Sequence, residues 1–387
     1  MKTASKNIPF GKPIIGEAEK KAVLEVLEGP VLTHGPKASS FEAAFAAWTK
    51  APYAVSVSSC TAALHLSYFH FGIREGDEVI VPAQTHVATA HAVEFCGAKP
   101  VFVDAEVETG NIDVRQIEGK ISPRTRAISV THFLGMPVDM ETVCQIAKKH
   151  GLIVIEDCAL AIGTSFKGIH AGLHGDAGCF SFYPVKHFTT AEGGMLVTKQ
   201  KEVAEAIVRK KAFGVDRHVG ERTVPGVYDV TMLGFNYRMN EIQAALGIEQ
   251  LKRIDDFLAR RKQNHEVLSQ GLSEVDEIST FRSSHGDFQS SYYCFSIVLK
   301  RELFGKRYDI IMNLKEKGIG TSVYYPKPVP HLQYYKEKYG CRDTDFPVAG
   351  WISDGSISLP VGPHLNPEDM RYIAESVKSA IHTVYAK

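Results

Sequence analysis

The stretch from Phe180 to Thr198 contains one lysine, Lys186, among hydroxyls, aromatic side chains and a pair of glycines. A lysine acts as a nucleophile only when its amine is neutral, and apolar, aromatic surroundings lower its pKa toward that state. Such an amine can hold an aldehyde as a Schiff base. A lone lysine is by default a surface residue, so the interpretation of Lys186 depends on what the rest of the chain supplies.

A pyridoxal 5'-phosphate (PLP) site requires a Schiff-base lysine, a carboxylate for the pyridine nitrogen, a phosphate cradle and a side chain that stacks on the ring. Asp157 offers the carboxylate at the end of an apolar run, residues 152–157, and its neighbour Glu156 points to the other side of that strand. The ordinary role of a single Asp is a helix cap or a salt bridge. The specific alternative is a carboxylate that keeps the ring nitrogen protonated, so that the ring accepts electrons from a carbanion.

Ser58, Ser59 and Thr61, with Cys60 between them, join a predicted strand, residues 54–57, to a predicted helix, residues 62–69. A helix start offers free N–H groups and the positive end of a dipole to an anion, which makes this segment a candidate phosphate cradle. Hydroxyl caps also precede helices that bind nothing. His86 follows another strand, 78–82, at the end where α/β sheets place ligands, although a His there is more often a cap or a packing residue.

Further apolar runs of strand length alternate with helical segments, which predicts a mostly parallel sheet covered on both faces. After about residue 251 the pattern changes to a long amphipathic helix followed by short strands, one of them predicted at 321–325. We therefore predict an α/β protein whose large domain, residues 15–250, has a mostly parallel mixed sheet flanked by helices. A smaller C-terminal α+β domain, residues 251–387, is predicted to include residues 1–14. The glycine-rich segment 163–178 is predicted to be a mobile loop.

Composition excludes several classes of function. Lys plus Arg and Asp plus Glu both total 44 in the 387 residues, and no basic run indicates a nucleic-acid partner or an anionic membrane surface. The seven cysteines have no CxxC spacing, which predicts reduced, structural thiols in a cytoplasmic protein. We expect no signal peptide and no membrane span. No dinucleotide, Walker or HExxH fingerprint is present, so we expect neither a nucleotide cofactor nor a metal site.

With these residues in place, the sequence resembles the DegT/StrS family of sugar aminotransferases, which have the aspartate-aminotransferase fold type of PLP enzymes. The likeness spans nearly the whole chain and rests on several motifs that occur in a fixed order. These are Gly35-Pro36, Ser59-Cys60-Thr61-Ala62-Ala63-Leu64-His65, Pro82-Ala83-Gln84-Thr85-His86, Glu156-Asp157, Ser181-Phe182-Tyr183-Pro184-Val185-Lys186, Glu192-Gly193-Gly194 and Asn236-Tyr237-Arg238-Met239.

The resemblance implies a role for each candidate residue. It makes Lys186 the Schiff-base lysine, Asp157 the partner of the pyridine nitrogen and His86 the residue that stacks on the ring. The positions that match the phosphate cup are Cys60, Thr61 and Ser181, joined by Asn236 from the neighbouring subunit of a homodimer.

Two positions depart from the family pattern. Cys60 stands where the family commonly has Gly, which is compatible with binding if the backbone N–H is the donor. Leu160 stands where the family commonly has Gln, and its side chain cannot make the usual hydrogen bond near the phenolic oxygen of the ring. The resemblance also places Tyr324, Tyr325 and His331 in the loop that shapes the sugar pocket.

One branch of the family has His instead of the Schiff-base lysine and dehydrates its substrate. Lys186 is retained here, so transamination is favoured, because a lysine can also move the proton between substrate and cofactor. The resemblance implies L-glutamate as the donor and a keto- or aldehydo-sugar, commonly nucleotide-linked, as the acceptor, for the amino sugars of surface polysaccharides or secondary metabolites. The alternatives are a transaminase of a free sugar acid or sugar phosphate, a PLP-dependent sugar dehydratase, and, with less support, a PLP-binding regulator.

Overall fold

The computed structural model describes residues 6–216, 224 and 226–385. The strands are β1 (Tyr53–Val57), β2 (Glu78–Pro82), β3 (Lys99–Val103), β4 (Thr125–Thr131), β5 (Ile153–Asp157), β6 (Ser165–Phe166), β7 (Ile169–His170), β8 (Ala177–Ser181), β9 (Gly194–Thr198), β10 (Ile278–Thr280), β11 (Phe288–Gln289), β12 (Phe295–Leu299) and β13 (Ser356–Leu359). The α-helices are α1 (Glu17–Glu28), α2 (Pro36–Thr49), α3 (Cys60–His70), α4 (Val87–Glu94), α5 (Val114–Ile117), α6 (Met140–His150), α7 (Lys201–Lys210), α8 (Glu241–Leu251), α9 (Ile254–Leu272), α10 (Arg307–Glu316), α11 (Gln333–Tyr339), α12 (Pro347–Gly355) and α13 (Pro367–Tyr385). Short 3-10 helices cover Glu118–Lys120, Phe133–Gly135, Arg301–Lys306 and Val329–His331.

The large sheet has seven strands in the order β1-β9-β8-β5-β4-β2-β3. Strand β9 is antiparallel to both of its neighbours, and the remaining strands run parallel to one another. Every residue of β2, β8 and β9 is buried, as expected for a sheet covered by helices on both faces. The predicted α/β class with a mostly parallel mixed sheet is confirmed.

Local caps explain why several helix boundaries were readable from sequence. Helix α6 begins after Asp139, whose carboxylate accepts from the N–H of Thr142 at 3.2 Å. It ends at Gly151, which has a φ of 64°, a left-handed conformation that favours glycine. Helix α1 likewise ends at Glu28, directly before a glycine, Gly29.

A second sheet, β10-β12-β13, packs with α9, α10 and α13 around a separate apolar cluster that also includes Ile8. Helix α9 contributes Phe257 to the core beside the large sheet and Leu268 to this second core. The predicted division at residue 251 therefore falls just before a helix that belongs to both cores, and it stays a prediction.

Two local predictions are wrong. Residues 321–325 do not form a strand, because Ser322 makes only an isolated bridge with Ser358. The carbonyl of Tyr324 accepts from the side chain of Gln84 at 3.0 Å, where a strand would accept from the backbone of its neighbour. The segment 163–178 is not a free loop, because it contains the β6–β7 hairpin, which pairs with β11. No helix in the described part of the chain is long and apolar enough to cross a bilayer.

Candidate active site

The carboxyl ends of the parallel strands bring the predicted residues to one edge of the large sheet. Ser181 ends β8 and lies opposite Gly194 of β9, which in turn lies opposite Val57 of β1. Asp157 ends the next strand, β5, and pairs with Cys179 of β8. The turn after β1, the turn after β8 and the end of β5 are therefore neighbours.

Lys186 lies in the turn that follows β8. Its N–H donates to the carbonyl of Tyr183 at 2.9 Å, and its own carbonyl accepts from Arg261 at 3.3 Å. The amine is 5.5 Å from the centre of the Tyr293 ring. Burial lowers the pKa of Lys186 and outweighs the opposing effect of nearby acidic groups, Asp157 among them. The backbone of Lys186 is thus held in place, and burial favours the neutral form of its amine.

The start of α3 forms the predicted phosphate cradle. Ser59 caps the helix by accepting from the N–H of Ala62 at 3.1 Å. Among the described residues, the N–H groups of Cys60 and Thr61 have no acceptor. Gly194 makes the close approach of β9 possible: a Cβ there would lie 2.5 Å from the carbonyl oxygen of Ser59. Two free N–H groups at a helix start suit an anion.

Asp157 is 3% exposed. Its Oδ2 accepts from the hydroxyl of Thr89 at 2.7 Å, and its Oδ1 accepts from the N–H of Ala159 at 3.0 Å. The thiol of Cys60 lies 3.9 Å from Oδ1. Burial and the charge of Asp157 raise the pKa of Cys60 well above its usual range, so this thiol stays protonated. The departure at position 60 therefore places an S–H group beside the carboxylate.

Three threonine hydroxyls behind Asp157 were not predicted. The hydroxyl of Thr89 is 2.8 Å from that of Thr85, which is 2.8 Å from that of Thr131. All three residues are buried. Thr85 and Thr89 are four residues apart at the start of α4, and Thr131 ends the strand beside β5. That spacing was the available signal, but it identifies a contact with Asp157 only once the strand order is known.

His86 caps α4, with its Nδ1 accepting from the N–H of Ala88 at 3.2 Å. Its ring meets the edge of Tyr325, with the ring centres 5.8 Å apart. Partial desolvation and the charge of nearby Lys186 lower the pKa of His86, which favours a neutral ring. The side chain is otherwise exposed at the sheet edge, where a flat ligand can lie against it.

Asn236 is the predicted residue that the single chain does not bring into the cradle. It is exposed and forms an isolated bridge with Ala212. The next residue, Tyr237, accepts at its carbonyl from the N–H of Ser58 at 2.8 Å. Leu160, in contrast, is 1% exposed, and its side chain lies within the apolar core beside the site.

Glu156 occupies the opposite face of β5 and accepts four hydrogen bonds. His132 Nε2 and the N–H of Gly172 reach one oxygen at 3.0 and 2.7 Å. The N–H groups of His174 and Gly175 reach the other at 2.8 and 2.7 Å. Burial alone would raise the pKa of Glu156, but the hydrogen bond from His132 and the backbone N–H donors lower it to about 2.

The same carboxylate belongs to a cluster with metal-ligand spacing: donor atoms of His132, Glu156 and Cys158 lie within 4.8 Å of one another. His132 Nδ1 already accepts from the N–H of Val138 at 3.1 Å, and both oxygens of Glu156 are bonded. Burial raises the pKa of the Cys158 thiol well above its usual range. The cluster has no free ligand atoms except a protonated thiol, so we assign it to the fold.

Comparisons with known proteins cover nearly the whole chain. A family model described as the DegT/DnrJ/EryC1/StrS aminotransferase family matches residues 13–378. The spore coat polysaccharide biosynthesis protein SpsC of Bacillus subtilis (strain 168) is 36% identical over 379 residues, 97% of either chain. GDP-perosamine synthase of Escherichia coli O157:H7 is 36% identical over 374 residues, 96% of this chain and 98% of that one.

The solved structures agree with the sequence comparisons. Spr1654 of Streptococcus pneumoniae superposes with a TM-score of 0.92 in its PMP form and 0.91 in its PLP form. Both structures are 30% identical in sequence and cover 98% of this chain and 100% of that one. The family match includes every residue of the site described above.

Proposed function

The chain belongs to the DegT/DnrJ/EryC1/StrS aminotransferase family of PLP-dependent sugar aminotransferases, and we propose that it transfers the amino group of L-glutamate to a nucleotide-linked keto- or aldehydo-sugar. The observation that carries the proposal is the convergence of a half-buried lysine with a lowered pKa, a buried carboxylate and an open helix start at one sheet edge. Those groups are three of the four that a PLP site requires, and His86 offers the fourth, a ring that can stack on the cofactor.

The residues present fit the cofactor. A phosphate would be held by the free N–H groups of Cys60 and Thr61 and by the hydroxyl of Ser181, whose oxygen has one weak donor, the N–H of Tyr183 at 3.4 Å. The cradle depends on the missing Cβ of Gly194, because a side chain there would collide with the start of α3. Asp157 would face the ring nitrogen, and the ring of His86 would lie against the cofactor.

When bound, PLP supplies an aldehyde that reacts with amines and a ring that accepts electrons. Lys186 would hold the cofactor, and its free amine would act as the base that moves a proton at the substrate carbon. Its lowered pKa makes the neutral, proton-accepting form available. Asp157 would hold a proton on the ring nitrogen, which would keep the ring an effective electron acceptor. Arg261 and Tyr183 hold the backbone of Lys186 through both of its polar groups.

The choice of acceptor and pathway is supported by the relatives. The similarity to GDP-perosamine synthase supports a nucleotide-linked sugar, and the similarity to SpsC supports a product destined for surface polysaccharide. The retained Lys186 favours amination over the dehydration that we associate with a His at this position. A free sugar acid or sugar phosphate remains the second candidate acceptor.

A two-step assay tests this proposal. PLP-loaded protein with L-glutamate alone should convert its cofactor to the amine form and release one 2-oxoglutarate per site, and L-aspartate serves as the comparison donor. Nucleotide-linked keto-sugars are then added as acceptors. Parallel assays use the corresponding free sugar acid or sugar phosphate, and the acceptor that gains the amino group identifies the acceptor class. If no 2-oxoglutarate forms, either with glutamate alone or with any of the sugars added, glutamate-dependent transamination is rejected.

We also propose a homodimer in which the partner subunit's Asn236 completes each phosphate site. Exposed apolar side chains around Asn236 support an interface there: Phe213, Val227, Tyr228, Val230 and Leu233 are each at least 51% exposed. A Lys186→Ala chain mixed with an Asn236→Ala chain should recover up to about half the wild-type activity per heterodimer, because one of the two sites is intact. Native mass spectrometry verifies the heterodimer; heterodimers without activity would refute the shared site.

A further inference from the structure

A line of three buried hydroxyls leads to the carboxylate of Asp157. Thr131, Thr85 and Thr89 follow one another at 2.8 Å, and Thr89 reaches Oδ2 of Asp157 at 2.7 Å. The residues come from three places, the end of β4, the turn after β2 and the first turn of α4. They are 3%, 1% and 0% exposed.

The direction of every hydrogen bond in this line is fixed. A carboxylate only accepts, so Thr89 must donate to Asp157, and a hydroxyl has a single proton to give. The oxygen of Thr89 then accepts from Thr85, and the oxygen of Thr85 accepts from Thr131. All three O–H dipoles therefore point toward the carboxylate, and successive bonds of one direction strengthen each other.

The hydroxyl of Thr89 is not explained by the helix that carries it. His86 caps α4 with its ring, and the N–H of Thr89 already donates to the carbonyl of His86 at 3.1 Å. A valine has the same shape and packs as well on a helix side. The remaining feature that requires a hydroxyl at this position is Asp157.

We propose that Thr89 is a positioning residue for Asp157, and that Thr85 and Thr131 strengthen its hydrogen bond. This inference rests on the proposed pairing of Asp157 with the pyridine nitrogen. Thr89 and the N–H of Ala159 each hold one oxygen, which fixes the plane of the carboxylate. A hydrogen bond to an ionised carboxylate also favours its charged form, which leaves the shared proton on the ring nitrogen.

The experiment compares Thr89→Val, which removes the hydroxyl, with Thr89→Ser, which retains it, in protein loaded with PLP labelled with nitrogen-15 in the ring. The nitrogen-15 shift reports whether the ring nitrogen is protonated, and single-turnover kinetics give the rate of the glutamate half-reaction. Thr89→Val should move the shift toward the unprotonated value and slow the half-reaction by about 10- to 100-fold, as expected for a lost hydrogen bond to a charged group. Thr89→Ser should resemble wild type in both.

The other members of the line should have graded effects. Thr85→Val should slow the half-reaction by roughly two- to threefold and Thr131→Val by less, since each acts only by strengthening the next bond. Thr164→Val is the matched control: it removes a buried hydroxyl that donates to the carbonyl of Gly135, away from Asp157. Its nitrogen-15 shift should equal that of wild type, even where its stability falls.

Each outcome decides a different point. If Asp157→Asn moves the shift and Thr89→Val does not, the positioning inference is overturned and the pairing of Asp157 stands. If neither variant moves the shift, the proposed pairing fails as well. Should Thr89→Val not fold, Thr89→Ala and Thr89→Ser make the same comparison, because both lack the methyl group and differ only in the hydroxyl.

Discussion

Glu156 and Asp157 are adjacent, buried and acidic, yet they lie on opposite faces of β5 in different surroundings. Glu156 receives four protein donors, two on each oxygen, and three of them are backbone N–H groups of residues 172–175. Asp157 receives the hydroxyl of Thr89 and the N–H of Ala159, and the thiol of Cys60 lies 3.9 Å away. A carboxylate with every acceptor position filled holds the fold together, whereas one with an unfilled position at a sheet edge is available to a ligand.

The largest expected effect is on the Asp157 face. Lys186→Ala should slow the glutamate half-reaction by at least about 10⁴-fold, because it removes both the attachment point and the base. Lys199 is the matched control on the Glu156 face, where its amine donates to the carbonyl of His174 at 3.3 Å. Lys199→Ala should stay within about twofold of wild type, since it makes no contact with the site. A borohydride-reduced cofactor found on any lysine other than Lys186 would break the assignment.

Asp157→Asn should slow the same half-reaction by about 10²- to 10³-fold, the loss typical of removing one electrostatic partner of a transition state. The cofactor should remain attached to Lys186. The free energy of unfolding should fall less than in Glu156→Gln, because the amide oxygen can accept from the N–H of Ala159 while the Thr89 hydroxyl reverses to accept from the amide NH₂. Stopped-flow absorbance and urea unfolding on one preparation give both values. A wild-type rate in this variant would make Asp157 a structural residue like its neighbour.

Glu156→Gln should have the opposite profile. An amide NH₂ replaces one oxygen that now accepts two hydrogen bonds, so two buried donors lose their acceptor. We expect the free energy of unfolding to fall on the order of 3 kcal/mol. The half-reaction rate per bound cofactor should remain within a few-fold of wild type. Glu141→Gln, at an exposed ion pair with Lys167, is the control for removal of a surface carboxylate.

The free energy of unfolding should depend on pH differently with and without the carboxylate of Glu156. A glutamate whose pKa is about 2 in the folded state and near 4.5 when unfolded stabilises the fold fully above pH 4.5, and this contribution is lost as the pH falls toward 2. The wild type should therefore lose on the order of 2 kcal/mol more than Glu156→Gln between pH 6 and pH 3. Urea unfolding at both pH values measures the difference. Parallel losses in the two proteins would contradict the assignment of a strongly lowered pKa to Glu156.

The two carboxylates also show which parts of the site can be predicted from the sequence. The alternation of side chains along a strand places Glu156 and Asp157 on opposite faces, and the turn residues after β1 and β8 are recognisable from their hydroxyls and glycines. The order β1-β9-β8-β5 is not readable, because the pairing of distant strands depends on the packing of the whole domain. The sequence therefore does not predict that Thr131 and Thr85 lie behind Asp157, although Thr131 ends the strand next to β5 and Thr85 follows the strand beyond that one.

Segment 163–178 is the clearest case of a local pattern that misleads. Its glycines predict a mobile backbone. In the structure, however, the N–H groups of Gly172 and Gly175 donate to Glu156, which requires the backbone to approach β5 closely. A Cβ on Gly175 would lie 2.5 Å from the carbonyl oxygen of Val154. The group that holds the segment is the carboxylate of Glu156, about 16 residues before Gly172, and no pattern within the segment indicates this contact.

The most direct test of the division between the two faces of β5 is the nitrogen-15 shift of the cofactor ring in Asp157→Asn and Glu156→Gln, each loaded with labelled PLP. We expect an unprotonated ring nitrogen in Asp157→Asn and a protonated one, as in wild type, in Glu156→Gln. A protonated ring in Asp157→Asn, or an unprotonated one in a folded Glu156→Gln, would contradict this division.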